Sequence, residues 1–351
     1  MTNESVKFKY NVINHALKKH SANAMLFLST SNRFWITGIM ASQAYVVYTS
    51  KKQYLLIDSR YFEYAKKTVK HMNVILYKDF SDVIKLTNRL KITKLLIEKE
   101  YVNLADYELL KQLKLELIAI NSMQLRAQKT AEEIIKLRKS SDLAVKTIDY
   151  IKHHIQYGMT ELDVKKMVFN YAINNGADAL SFDPIVAFGK NSAIPHHQPD
   201  FTKLTKGLNV KLDLGCVVEG YCSDITRTFW LDDDVDQKIR EIYKVVLEAN
   251  QAGIKAAKIG ITGKQLDKVC RDVIEKSGYG QYFTHGTGHG IGIEIHEMPS
   301  VKSISDLPIY ENSAITIEPG IYIPGVGGVR IEDLVIVSKT GPKVLTLKAK
   351  K

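Results

Sequence analysis

The sequence predicts two domains: a small α/β domain over residues 1–126, and a larger α+β domain over residues 127–351 whose halves repeat one plan. Three observations predict it. Short β-rich runs alternate with helical stretches through the first third. A polar stretch at 126–129 ends that alternation and a helix-start signal follows it. The boundary Gly158-Met159-Thr160 returns as Gly260-Ile261-Thr262, each time opening the second helix of a pair.

In the first domain, apolar runs of strand length lie at 24–30, 44–49, 53–58, 74–77, 94–98 and 115–120, and helices fit 60–71, 80–90 and 104–113. No glycine-rich phosphate loop accompanies them, so no nucleotide site is expected there. Thr130-Ala131-Glu132-Glu133 reads as a capping box, the Thr hydroxyl taking an orphan N–H while Glu133 returns the favour. The signal recurs at Thr160 with Asp163 and at Thr262 with Gln265. Helices over 131–157, 161–175, 235–258 and 263–277 follow.

After each helix pair comes a histidine-bearing stretch and then two carboxylates in strand-like sequence. The order is His196, Asp213, Asp224, and again His289, Glu318, Glu332. It predicts an internal duplication whose halves face one another across a site. Gly-x-Thr alone is also a common helix start, so the reading rests on the whole order.

Composition narrows the function classes. The 45% hydrophobic and 25% charged fractions are those of a soluble globular protein. No apolar run approaches a membrane span and the start lacks the apolar core of a signal peptide, so the cytosol is the expected location and no membrane is expected as partner. Cys216, Cys222 and Cys270 show neither C-x-x-C nor zinc-finger spacing and read as reduced structural thiols. The net charge of +11 is uneven: 20 Lys and Arg against 10 Asp and Glu in residues 1–126 leave +10, and 29 against 28 in 127–351 leave +1. Such a surface can attract nucleic acid. Here the lysines are scattered (Lys18, Lys19, Lys51, Lys52, Lys66, Lys67) without an RNA-binding motif, so a solvated surface is expected and nucleic acid is not.

Three clusters carry chemistry. In residues 210–230 two apolar segments flank Val217-Val218-Glu219-Gly220, a candidate hairpin loop. A turn centred between Val218 and Glu219 sets Asp213 directly opposite Asp224, two like charges that need either a shared proton or a cation. Next, Thr284-His285-Gly286-Thr287-Gly288-His289-Gly290-Ile291-Gly292 precedes His296-Glu297. Histidines among glycines indicate backbone packed closely around a ligand or metal. Last, Glu318 and Glu332 sit among β-branched residues, where an unpaired carboxylate is costly. A simple hairpin through 324–328 would put Glu332 opposite Gly320, so Pro319-Gly320 must distort the strand for the two glutamates to meet. Two Asp, two Glu and one His form an oxygen-rich set with one nitrogen, suited to two divalent ions, Mn²⁺ foremost, with Co²⁺, Zn²⁺ or Fe²⁺ as alternatives. Two such ions balance four carboxylates and acidify a bound water.

These residues resemble the pita-bread metallopeptidases, in particular aminopeptidase P and prolidase. Asp213-Leu214-Gly215, Ser223-Asp224-Ile225-Thr226-Arg227-Thr228, HGTGHGIG, His296-Glu297, Glu318-Pro319-Gly320 and GGVRIED stand in the family's order, and 32–38 with 57–61 are similar to its creatinase-like N-terminal domain with a mixed sheet. The resemblance implies Asp213 on one metal, His289 and Glu318 on the other, and Asp224 and Glu332 bridging. It implies Glu318 as proton shuttle, His196 and His296 on the substrate carbonyl or oxyanion, Arg330 and Tyr322 as substrate-side contacts, and His285 and Thr226 orienting the ligands. It implies hydrolysis next to proline by a homodimer, with release of an N-terminal residue from Xaa-Pro-peptides, or cleavage of Xaa-Pro dipeptides. Methionine aminopeptidase shares the five ligands without such an N-terminal domain; creatinase shares the fold without the metals; a binding protein on the fold would have lost ligands.

Overall fold

The apolar runs of the first unit, Met1–Arg126, assemble into one mixed sheet of six strands flanked by helices. The computed structural model describes residues 1–349 and 351. In chain order the unit holds α1 (Asn3–Lys19), β1 (Ala24–Phe27), α2 (Thr30–Thr37), β2 (Ala44–Thr49), β3 (Gln53–Ile57), α3 (Ser59–Thr68), β4 (Asn73–Leu76), α4 (Ser81–Arg89), β5 (Lys94–Glu98), α5 (Leu104–Lys111) and β6 (Glu116–Ile120). The sheet order is β4-β3-β2-β1-β5-β6, antiparallel from β3 to β1 and parallel on both flanks. Leu26, Val47, Leu56, Val83 and Leu95 make its core.

Two helices here depart from the sequence reading. Helix α1 buries Ser5, Lys9, Ile13 and Leu17, a four-residue stripe in which half the positions are polar and the apolar period is hidden. Lys9 keeps its charge satisfied by donating to the Trp35 carbonyl at 2.6 Å. The run expected as strand through residue 30 ends at Phe27, because Ser29 caps α2 by accepting from the Asn32 N–H and the Glu98 carboxylate takes the Ser29 N–H at 2.8 Å.

The second unit, Ala127–Lys351, begins with α6 (Ala131–His154) and α7 (Glu161–Asn174). Strands β7 (Ala179–Leu180), β8 (Ile185–Phe188), β9 (Asn209–Leu214), β10 (Cys216–Val218), β11 (Tyr221–Cys222) and β12 (Ile225–Trp230) complete its first half. Then come α8 (Gln237–Ala256), α9 (Gly263–Lys276), β13 (Gly288–Gly290), β14 (Glu297–Val301), β15 (Ala314–Ile317), β16 (Gly320–Ile323), β17 (Gly327–Arg330), β18 (Asp333–Ile336) and β19 (Lys343–Val344).

The duplication is visible atom by atom. All three predicted capping boxes form, at Thr130, Thr160 and Thr262. Gly158 and Gly260 hold φ of 89° and 88°, a left-handed turn that favours glycine. The Gly158 N–H donates to Leu204 O at 2.8 Å and the Gly260 N–H to Ile309 O at 2.9 Å. Leu204 N–H returns to Met159 O, and Ile309 N–H to Ile261 O, both at 2.8 Å. Each half builds its own core, Ile148, Val164, Val186 and Leu212 in the first and Ile239, Val246, Leu266 and Ile317 in the second. At about 25 cal/mol per Å² of apolar area, burying each such side chain contributes roughly 2 kcal/mol, so each half carries its own packing energy.

Two strand registers differ from the expected ones. Asp213 pairs with Thr226, not Asp224, because the turn is the two-residue Glu219-Gly220, with φ of 51° and 75°. Asp224 lies two residues before Thr226, beyond the end of β12. In the second half Gly320 pairs with Arg330 and Ile317 with Asp333, so one register runs through both ladders and sets Glu318 opposite Glu332 without any distortion of register. Between the ladders Pro319 offers no N–H and the pairing opens. The Glu318 N–H goes instead to Thr287 O at 2.7 Å and the Glu332 N–H to Thr226 O at 3.1 Å, tying both glutamates to neighbouring strands.

Candidate metal centre

Both halves supply the site. Asp213 ends the buried strand β9 and Asp224 precedes β12, His289 sits in β13, and Glu318 and Glu332 fill the gap between the two ladders. Close approach is built in: a Cβ on Gly288 would stand 2.0 Å from Thr316 O, so only glycine lets β13 lie this near β15 and carry His289 inward. The Thr316 hydroxyl accepts the His289 N–H at 3.0 Å.

Ligand atoms of Asp224, His289 and Glu332 all lie within 4.8 Å of one another. His289 Nδ1 faces Gly290 O at 3.0 Å and donates to it, so Nε2 is the ring atom turned to the site. Nε2 lies 3.5 Å from Asp224 Oδ2 and 3.4 Å from Glu318 Oε1. Burial first, then the charges of Asp213 and Glu318, hold the Asp224 carboxyl well above the usual carboxylate range. Burial and then Asp224, Glu318 and Asp213 do the same to Glu332, and burial pushes Glu318 up as well. Asp213 Oδ1 and Glu332 Oε1 are buried without a hydrogen-bond partner. Orphaned oxygens, an imidazole nitrogen turned to the site and four crowded carboxyls all fit divalent cations.

Around these groups the other predicted residues form a hydrogen-bonded frame. Thr226 donates from Oγ1 to Glu332 Oε2 at 2.8 Å and accepts from Arg330 Nε at 3.0 Å. The Arg330 guanidinium also bonds Asp213 Oδ2, the Tyr322 hydroxyl at 2.8 Å and Pro195 O at 3.2 Å. Burial opposes its charge, but Tyr322, Asp213 and Glu318 outweigh that and hold the guanidinium firmly protonated. His285 Nε2 meets the same Tyr322 hydroxyl at 2.8 Å while its Nδ1 faces Gly286 O. Burial, aided by Arg330, brings His285 down to about 4, so it is neutral near pH 7 and accepts a hydrogen bond from the Tyr322 hydroxyl. Burial pushes Tyr322 up to about 12, so it stays a phenol. Tyr322 stands behind the site, bonded to protein groups on both sides.

A cavity of roughly 310 Å³ opens onto the ligands. His196 and His296 are exposed on its wall, and the His296 ring meets that of His289 edge to face at 4.5 Å. Phe182, Ile185, Pro195 and Ile295 give it an apolar side, and Lys302 adds an exposed cation.

The sequence reading missed four residues. Glu161, His197 and Asp200 bring ligand atoms within 4.8 Å of one another. Yet Glu161 Oε1 accepts from Phe188 N and Asn191 Nδ2, and its Oε2 meets His197 Nε2 and accepts from Asp200 N, so the carboxylate is already saturated. This is a structural knot. Lys211 is fully buried on β9, two positions before Asp213 and on the same strand face. Its signal was a lone Lys in the apolar run Val210-Lys211-Leu212-Asp213-Leu214.

Comparison with known proteins follows the same division. Residues 135–339 match the model of metallopeptidase family M24, and residues 11–128 that of the Creatinase/Prolidase N-terminal domain. The chain is 35% identical to the Xaa-Pro dipeptidase of Pyrococcus furiosus, covering 94% of this chain and 95% of that one. Among solved structures it is similar to an Xaa-Pro dipeptidase from Bacillus anthracis (TM-score 0.94, 35% identity, 99% of each chain). It is also similar to an X-Pro aminopeptidase from Thermotoga maritima (TM-score 0.86, 33% identity, 93% of this chain and 96% of that one). With both domains matched and a solved neighbour aligned over 99% of each chain, the chain belongs to metallopeptidase family M24.

Proposed function

We propose that this protein hydrolyses the peptide bond preceding proline and releases the N-terminal residue of Xaa-Pro-peptides. The observation that carries the reading is the convergence of five candidate ligands on one cavity with two carboxylate oxygens left orphaned. Asp213 would hold one divalent ion, His289 and Glu318 the other, and Asp224 and Glu332 both; Mn²⁺ is the ion proposed. Bound there, the ions supply Lewis-acid polarisation and a water acidified to near neutral pH.

The chain's own groups do the rest. Glu318, pushed up by burial, takes a proton as the water oxygen bonds to the scissile carbon. When the C–N bond breaks, the proline nitrogen leaves as an amine, and Glu318 returns that proton to it. His196 and His296 face the cavity and stabilise negative charge gathering on the carbonyl oxygen. Arg330 fixes Asp213, and Thr226 fixes Glu332. The apolar wall of Phe182, Ile185 and Ile295 suits a pyrrolidine ring. We place the enzyme in the cytosol and, from the family resemblance, as a homodimer.

A second reading, an Xaa-Pro dipeptidase, is favoured by Lys302, an exposed cation on the same cavity that can face a dipeptide's carboxylate. Purified protein with Mn²⁺, assayed on Xaa-Pro and Xaa-Pro-Yaa, separates the two. The proposal expects kcat/KM at least about 10-fold higher on the tripeptide, the margin of one lost contact of about 1.4 kcal/mol, and no turnover for Asp224→Ala. Preference for the dipeptide selects the second reading; inactivity on both with metal bound contradicts both.

A further inference from the structure

His196 makes no hydrogen bond of its own among the described residues, although it lines the cavity on an irregular segment. What fixes it lies on either side in the chain. Lys211 reaches across from β9, and its ammonium donates to Ser192 O at 2.9 Å, Ile194 O at 2.6 Å and Pro195 O at 3.4 Å. An ammonium has three N–H donors, and all three are directed at the four residues just before His196. Pro195 O receives a second donor, Arg330 Nη1 at 3.2 Å. On the other side, His197 Nε2 lies 2.6 Å from Glu161 Oε2, which also accepts the Asp200 N–H at 3.0 Å.

A fully buried lysine in a strand is costly unless its charge is satisfied. Burial and Arg330 work against this charge; three loop carbonyls accept from it and Asp213 and Glu161 favour it, and an apolar residue could not hold those carbonyls. Strand alternation puts Lys211 on the face of Asp213, and its ammonium lies 5.2 Å from the Tyr322 ring centre. The strand that offers a metal ligand thus also anchors the segment that offers His196.

We infer that Lys211 is a positioning residue for His196, the buried ammonium holding segment 192–195 while Glu161 holds His197, so that the intervening imidazole is presented to the substrate carbonyl. The inference rests on His196 acting on substrate as proposed above.

The test compares wild type, Lys211→Met, His196→Ala and the double variant in Mn²⁺-loaded protein, by kcat/KM on Xaa-Pro-Yaa and by amide hydrogen exchange. Lys211→Met should lose about 10–100-fold in kcat/KM, the range for residues that orient active groups, with bound metal unchanged. In the His196→Ala background it should cost less than about 3-fold more, because both changes disable one group. Exchange at 192–200 should quicken while β12 stays protected. Multiplying losses, or full activity with unchanged exchange, would overturn the inference. If Lys211→Met does not fold, Lys211→Gln, which keeps an amide donor, takes its place with the same expected non-additivity and a smaller loss. A wild type without peptidase activity removes the functional reading of His196, and exchange at 192–200 then decides the clamp alone: no quickening refutes it.

Discussion

Asp224 and Glu332 set the electrostatic character of the site. Both carboxyls are held well above the usual carboxylate range, by burial first and by neighbouring carboxyls second. A carboxyl whose folded pKa exceeds its unfolded value, about 4, binds its proton more tightly in the fold. Its contribution to stability is full below that unfolded value and is lost as pH rises through the folded one. Metal-stripped protein should therefore melt at lower temperature as pH rises from 5 to 8, and Mn²⁺ should recover more at pH 8 than at pH 5. At about 2–4 °C per kcal/mol for a domain of this size, the difference is several degrees. Paired thermal melts with and without Mn²⁺ check this, and a metal-induced shift independent of pH contradicts it. The five ligand candidates were legible because the four carboxylates stand in or beside apolar runs and His289 stands among glycines. Lys211 gave the same signal and was passed over, since one lysine among apolar neighbours names no partner until the 192–195 carbonyls are seen around it.

At the scale of elements, the helix starts were the most legible feature. Thr130, Thr160 and Thr262 each close a reciprocal box, and a box is written in two residues at fixed spacing. Thr160→Ala and Thr262→Ala should each cost about 1 kcal/mol. Lying in separate halves, they should add to about 2 kcal/mol in the double variant, read from urea unfolding midpoints at constant m-value. A double variant no weaker than either single would show that the boxes contribute little. Strand register was less legible. The Glu219-Gly220 turn sets Asp213 beside Thr226, and Glu-Gly lacks the strong turn signal of Asn-Gly. Helix α1 escaped detection because Ser5 and Lys9 occupy half of its buried stripe.

Across the whole molecule, the duplication decides where chemistry can occur. Of the five candidate ligands the first half supplies Asp213 and Asp224, and the second His289, Glu318 and Glu332, so neither half holds all of them. A cation held by both halves would stabilise their folded pairing by mass action, linking metal affinity to the integrity of the fold. The order of histidine and carboxylates told of this repeat before any geometry did, while the paired glycines at 158 and 260 show it in matched hydrogen bonds. The +10 balance of residues 1–126 includes scattered exposed lysines such as Lys18, Lys51 and Lys66. The most direct test is a titration of metal-stripped protein with Mn²⁺ while hydrolysis of Xaa-Pro-Yaa is followed. Activity should rise from background and level off at two ions per chain, whereas full turnover in the presence of a chelator, or none at saturating metal, would contradict the dinuclear account.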